Sequence, residues 1–240
     1  MIKPYKNLEG SKKEQVRTMF NRIAPRYDLL NHLLSFGIDN IWRKKVVKQL
    51  RELKAPIILD VATGTGDLAI QIAGIDPVAV YALDLSEEML AIAREKIEKR
   101  RLHMTIQLKH GDSEELPFEN NFFDAATVAF GVRNFENLQK GLSEIHRVLR
   151  QGGRLVVLEF SRPKMFPLKQ LYHFYITRIL PWWGGIISHD KDAYSYLPES
   201  ALQFPDGKDF TNELQKAGFE CQKILPQTFG VATIYVATKK

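Results

Sequence analysis

Ile57-Ile58-Leu59-Asp60-Val61-Ala62-Thr63-Gly64-Thr65-Gly66-Asp67-Leu68 is the stretch that decides the fold. It opens with an apolar, β-branched run suited to a strand buried on both faces, breaks at Gly64-x-Gly66, and restarts at Asp67 with a helical pattern. A strand, a tight loop and a helix start are expected in that order. Glycine in the loop permits positive φ and lets a ligand approach the main chain without meeting a Cβ. The stretch therefore predicts a binding turn.

Gly64-Thr65-Gly66-Asp67-Leu68-Ala69 satisfies the G-x-G-x-x-G/A dinucleotide pattern, and Asp84 follows Gly64 by 20 residues, where a ribose-binding acid belongs. The charges oppose an NAD-dependent oxidoreductase, the competing reading. Asp60 precedes the glycines and Asp67 sits at the helix start, where a pyrophosphate would want bare N–H groups. S-adenosylmethionine satisfies both observations: Asp84 takes its ribose hydroxyls, the Gly64 and Gly66 backbone cradles it, and the Asp60 and Asp67 region faces its positive charge. Asp67 could equally serve only as a helix-start acid.

From Ile57 onward, strands and helices alternate, which predicts an α/β fold with a mostly parallel sheet. Strands are expected at 57–61, about 78–83, about 104–109, about 124–128 and about 154–160, with two more at 220–225 and 234–238, one of them antiparallel. Ser86 followed by Glu87 and Glu88 starts a helix. Leu138, Leu142, Ile145 and Leu149 line another, which Gly152-Gly153 is expected to stop. Upstream, 11–36 reads as two short helices broken at Pro25, and Asp39 as the cap of a third carrying Trp42, Val46, Leu50 and Leu53 on one face. Ligands in such sheets bind beyond the carboxyl ends of strands, which points to 63–67, Asp84, 111–113 and 130–134. There Asp112 is placed to accept from an adenine amine, and Ser113 to meet the ring edge.

The expected organisation is one domain over 1–240: a helical cap (1–54), a cofactor-binding core (55–160), an apolar insertion (161–204) and a closing helix and strands (205–240). The insertion carries Leu171, Tyr172, Phe174, Tyr175, Trp182 and Trp183, as a lid over an apolar substrate would. The net charge of +6 favours an acidic membrane surface, and without a dense Lys/Arg cluster no nucleic-acid partner is expected. A single cysteine, Cys221, agrees with a reducing cytosol. The six histidines show no paired ligand spacing, so no metal is expected. Neither a signal peptide nor a spanning segment is visible.

More specific stretches then enter: Phe20-x-x-Ile-Ala-x-x-Tyr-Asp-x-x-Asn31, Trp42-Arg43, Leu116-Pro117-Phe118, Phe130-Gly-Val-Arg-Asn134, Leu158-Glu-Phe-Ser161 and Tyr194-Ser-Tyr-Leu-Pro-Glu-Ser200. On these the chain resembles, over nearly its whole length, the ubiquinone/menaquinone biosynthesis C-methyltransferase family. The resemblance implies a class I S-adenosylmethionine-dependent, Rossmann-like fold with a seven-stranded sheet, N-terminal helices and a helical insertion after the fifth strand. By position it implies cofactor contacts at Thr65, Asp84, Asp112 and Ser113. Where the family often has a serine, this chain has Ala129.

The implied reaction methylates demethylmenaquinol to menaquinol, and in a dual enzyme a ubiquinone precursor as well. A ring carbon is a weak nucleophile unless the neighbouring hydroxyl gives up its proton, so Arg133 is expected to stabilise the phenolate and Asn134 to hold it or the substrate. His189, Asp190 and Tyr194 are candidates to relay the proton. The expected partner is a polyprenylated quinol, met by a cytoplasmic protein peripheral to the inner face of the membrane, and a homodimer is compatible with the sequence. A methyltransferase-like module serving only as a structural partner is the remaining alternative.

Overall fold

The computed structural model describes residues 2–5, 8–35, 37–179 and 190–240. Its strands are β1 (Ile57–Val61), β2 (Ala79–Asp84), β3 (Ile106–His110), β4 (Phe123–Ala129), β5 (Leu149–Phe160), β6 (Phe219–Gln227) and β7 (Ala232–Lys239). Among the described residues they form one seven-stranded sheet in the order β3-β2-β1-β4-β5-β7-β6. β1 pairs in parallel with β2 and with β4, and β7 runs antiparallel to both β5 and β6. The chain leaves β1 toward one edge and returns at β4 toward the other, so the topological switch point lies between the carboxyl ends of β1 and β4.

The helices are α1 (Lys12–Leu34), α2 (Ile38–Lys48), α3 (Asp67–Ile72), α4 (Glu87–Lys99), α5 (Leu138–Val148), α6 (Leu168–Phe174), α7 (Lys191–Gln203) and α8 (Lys208–Lys216). One π-helical turn, Tyr175–Ile179, extends α6. Alternate residues of β1 serve opposite faces of the sheet. Leu59 and Val61 join Leu142 and Ile145 of α5 and Phe210 and Leu214 of α8, while Ile58 joins Val46 of α2 and Leu68 and Ile72 of α3. Burial on both faces explains why β1 reads as a continuous apolar run. Each such side chain contributes about 1.5–3 kcal/mol. A third core binds the two ends of the molecule together: Met19 and Ile23 of α1 pack with Met89 of α4 and with Ala193, Tyr194 and Tyr196 of α7.

Three local expectations are corrected. The helix expected to break at Pro25 runs on through it. Proline removes one backbone bond, and the buried Met19, Ile23 and Ala24 before it and Tyr27 after it pack into one cluster. Asp39 does not cap α2. Gly37, in the left-handed region at φ 72°, takes that position, and the buried Asp39 pairs with Arg43 one turn on and accepts from Ser35 Oγ at 2.8 Å. Nor do Gly152 and Gly153 stop α5, because Leu149 has already turned extended. They form a bend inside β5 so tight that a Cβ on Gly153 would lie 2.7 Å from the Arg150 carbonyl. Ser86 caps α4 as its sequence predicts, accepting from the Met89 N–H at 3.2 Å. Among the described residues no helix is long and apolar enough to cross a membrane.

Candidate functional site

The loops leaving β1 and β4 meet at the switch point in strained backbone. Ala62 (φ 53°) and Phe130 (φ 58°) both occupy the left-handed region, a conformation that costs non-glycine residues of order 1–3 kcal/mol and persists where surroundings impose it. The loops are pinned behind the site, Thr63 N–H to the Leu83 carbonyl at 3.0 Å and Phe130 N–H to the Leu158 carbonyl at 2.8 Å. They approach so closely that a Cβ on Gly131 would lie 2.6 Å from the Ala62 Cβ.

A cavity opens over this junction. Gly64, Asp84, Asp112, Ser113, Ala129 and Asn134 line its sheet side. Lys13, Val16, Phe20 and Tyr27 of α1 cover it and narrow its free volume to about 80 Å³. Asp84 ends β2 and accepts from the Gly64 N–H at 2.7 Å and the Ser86 N–H at 2.8 Å. Burial raises its pKa against the pull of these backbone donors. A Cβ built on Gly64 meets nothing within 4 Å, so open space lies directly above the loop beside that carboxylate. At the other end Asp112 pairs with Lys13 and accepts from the Glu114 N–H at 2.9 Å. One acid beside a bare glycine backbone and a second acid with Ser113 beyond it suit an adenosine, ribose at Asp84 and base at Asp112.

Four other predicted contacts lie behind this surface and hold it. Asp60 is buried beneath the loop and accepts from the Thr63 and Thr127 hydroxyls, both at 2.6 Å. Burial pushes its pKa up to about 6. Thr65 donates to Asp28 Oδ1 at 2.6 Å and accepts from Lys96 at 3.0 Å. Gly66 (φ 81°) starts α3 where a Cβ would crowd Ala93 of α4 at 3.2 Å. Asp67 pairs with Lys96 at 2.6 Å, and Lys96 also pairs with Asp28 at 2.6 Å. The cation beside Asp67 is thus one of the chain's own.

A second cavity, of about 370 Å³, adjoins the first and shares Tyr27 with it. Its walls are largely carbon: Ile38, Trp42, Phe160, Leu171, Ile176 and Leu197. Arg133 enters it from the turn after β4. Its Nη1 donates to Glu159 Oε1 and to the Phe130 carbonyl, each at 2.7 Å, and the guanidinium lies over the Phe160 ring. The pair is dry, with side-chain exposures of 5% for Arg133 and 0% for Glu159. Asn134 faces the first cavity and accepts from the Tyr196 hydroxyl at 3.2 Å. Consecutive residues of one turn therefore serve adjoining cavities.

Tyr194 lines the apolar cavity, and burial raises its pKa so that the phenol keeps its proton. Asp190 caps α7 and accepts from the Tyr5 hydroxyl at 2.6 Å. His189 lies outside the described residues. The sequence assigns no individual role to Lys13 and Phe20, which cover the first cavity, to Tyr172, named there only among the lid's aromatics, or to Glu159 behind Arg133. For Glu159 a signal existed, its place at the carboxyl end of β5. Tyr172 was hidden among many aromatics.

Known proteins resemble the chain over nearly its whole length. A demethylmenaquinone methyltransferase of Bacteroides fragilis is 47% identical over 99% of this chain and 97% of its own length. A ubiquinone/menaquinone biosynthesis C-methyltransferase UbiE of Geobacter sp. (strain M21) is 46% identical over 96% of this chain and 98% of its own. Among solved structures, magnesium protoporphyrin IX methyltransferase (ChlM) from Synechocystis PCC 6803, with bound SAM, superposes with a TM-score of 0.70 at 17% identity, covering 98% of this chain and 100% of that one. A SAM-dependent methyltransferase from Aquifex aeolicus gives 0.57 at 21% identity, covering 82% and 89%. These two share the fold, a class I S-adenosylmethionine-dependent methyltransferase fold. The model of the ubiE/COQ5 methyltransferase family matches residues 8–239, and the chain belongs to that family.

Proposed function

We propose that the protein is the C-methyltransferase that converts demethylmenaquinol to menaquinol. The carrying observation is the adjacency of a cavity lined by Gly64, Asp84, Asp112 and Ser113 and a larger apolar one that share Tyr27, with the buried cation of Arg133 in the apolar wall. S-adenosylmethionine supplies an electron-poor methyl: the ring carbon's electron pair forms the new C–C bond as the S–CH3 bond breaks, and the ring hydrogen leaves as a proton. Asp84 and Asp112 would hold S-adenosylmethionine by its ribose and base in the cavity that adjoins the apolar one. Arg133 supports the oxygen next to the reacting carbon as it gains phenolate character, in a dry setting where a fixed charge acts strongly. Glu159 holds the guanidinium in place.

Residues 161–204 act as the lid, its α6 and α7 walling the apolar cavity against water. The reading extends to a membrane. Met165 and Phe166 are 65% and 81% exposed beside Lys164 and Lys169, just past Pro163 at the cavity wall. Such a basic, apolar rim lays the cavity mouth on an anionic lipid surface from which a polyprenyl tail can enter. The protein would then work at the cytoplasmic side as a peripheral enzyme.

The test is methyl transfer from labelled S-adenosylmethionine to a reduced, short-tailed demethylmenaquinone beside the matching ubiquinone precursor. Product from the naphthoquinol supports the proposal, and product from both makes the enzyme dual. Product from neither, with S-adenosylmethionine bound, refutes it.

A further inference from the structure

The apolar cavity holds an anomaly. Among the described residues, three that line it each bury a polar atom with no hydrogen-bond partner: Arg133 Nε, the Tyr172 hydroxyl and the Tyr194 hydroxyl. A folded chain seldom leaves such atoms unsatisfied, and three around one cavity mark groups reserved for a ligand. Their chemistry is specific. Arg133 Nε–H can only donate, and each tyrosine hydroxyl can donate once and accept. Burial raises the pKa of both phenols, so they meet the ligand protonated and neutral, as hydrogen-bonding groups and not as bases.

The three residues reach the cavity from different elements, Arg133 from the turn after β4, Tyr172 from α6 and Tyr194 from α7. Tyr172 lies in the electrostatic reach of Arg133 and Glu159. Tyr194, from α7, has Tyr27 and Asp190 as its electrostatic neighbours instead. A flat ring with an oxygen at each end fits that division.

We propose that Tyr172, beside Arg133 Nε, and Tyr194 are the specificity-determining residues that read the two ring oxygens of the substrate. Arg133 and Tyr172 take the oxygen next to the reacting carbon, and Tyr194 takes the oxygen across the ring. The apolar wall carries the remaining rings and tail. The enzyme therefore selects aromatic rings bearing two oxygens and holds them in one orientation. This rests on the quinol reading above, from which Tyr172 was absent and in which Tyr194 stood as a proton relay.

Tyr172→Phe and Tyr194→Phe in the full-length protein test it, with a reduced short-tailed demethylmenaquinone and an analogue in which the oxygen across the ring is replaced by hydrogen. Binding is read by equilibrium dialysis in the presence of S-adenosylhomocysteine, and turnover beside it. Each variant is expected to bind S-adenosylmethionine as the parent does and to melt no lower, since an unsatisfied hydroxyl has been removed, yet to lose about tenfold in quinol affinity. Against the analogue, Tyr194→Phe should lose nothing further while Tyr172→Phe keeps its penalty. Unchanged quinol affinity in both variants would overturn the proposal while leaving the quinol reading intact. A drop in melting temperature with no change in quinol affinity would assign the hydroxyls to the fold and overturn it as well. If the parent binds and methylates no quinol, the underlying reading fails, and the inference with it.

Discussion

Gly131→Ala should damage the site without touching a ligand. The added Cβ would lie 2.6 Å from the Ala62 Cβ and 3.2 Å from Val128 Cγ1, against 3.4–4 Å for ordinary contact. The loops after β1 and β4 must therefore separate by close to 1 Å, and backbone bonds at Thr63 and Phe130 resist it. Overpacking of this kind costs about 1–3 kcal/mol. For a chain of this size about 2 kcal/mol lowers the melting temperature by roughly 4–8 °C. Because the parting loops carry Gly64 and Asn134, S-adenosylmethionine affinity should fall by about tenfold as well, each tenfold being 1.4 kcal/mol. The decisive experiment is the double variant. Ala62→Gly removes the struck atom and suits a residue already at φ 53°, so Ala62→Gly with Gly131→Ala should recover most of both losses, and the Val128 contact should hold back the remainder. Calorimetric melting and isothermal titration read the two quantities. A single variant that melts and binds like the parent, or a double variant no better than the single, would refute the close approach as the reason for glycine.

Arg133→Ala would strand Glu159 in a dry interior and cost about 3–5 kcal/mol, so the informative change is Arg133→Lys, which keeps the charge but has no Nε–H to present. Turnover should fall at least about tenfold with S-adenosylmethionine affinity unchanged, and parental turnover would remove the guanidinium from the mechanism. Asp60 gives a pH signature. Its folded pKa of about 6 lies above the unfolded value near 3.9, so the folded state holds the proton more tightly, and the group's contribution is fully present below about pH 4 and lost as pH rises through 6. The stability difference between Asp60→Asn and the parent should therefore shift in the variant's favour by about 2–3 kcal/mol between pH 4 and pH 7, and a difference flat with pH in denaturant titrations would contradict this. Met165→Ser with Phe166→Ser should reduce sedimentation with anionic vesicles severalfold and leave turnover of a soluble, short-tailed quinol unchanged, whereas unaltered sedimentation would move the membrane face elsewhere.

The sheet was legible because its signals are local: β-branched runs, the Gly64-x-Gly66 break and the Ser86 cap each state their element within a few residues. Pro25 misled because propensity is local while the packing that carries α1 through it comes from α4 and α7. Asp39 looked like a cap because no sequence rule announces that Arg43, one turn away, will be buried with it. In the site, Asp84, Asp112 and Ser113 were placed by the rule that ligands gather beyond strand ends, and they do face one cavity. Thr65 and Asp67 obey the same rule yet turn away, because Lys96 of α4 and Asp28 of α1 engage them from distant parts of the chain. The cavity walled by Tyr27, Arg133, Tyr172 and Tyr194 joins four separate elements, and no stretch of sequence contains it.

The shared core of α1, α4 and α7 underlies walls of both cavities. α1 covers the first cavity through Lys13, Val16, Phe20 and Tyr27. α7 walls the second cavity and rests on Met19 and Ile23 of that same helix. One buried cluster therefore supports walls of both chambers. Substitutions at Met19 or Ile23, which line neither chamber, should therefore reach the walls of both.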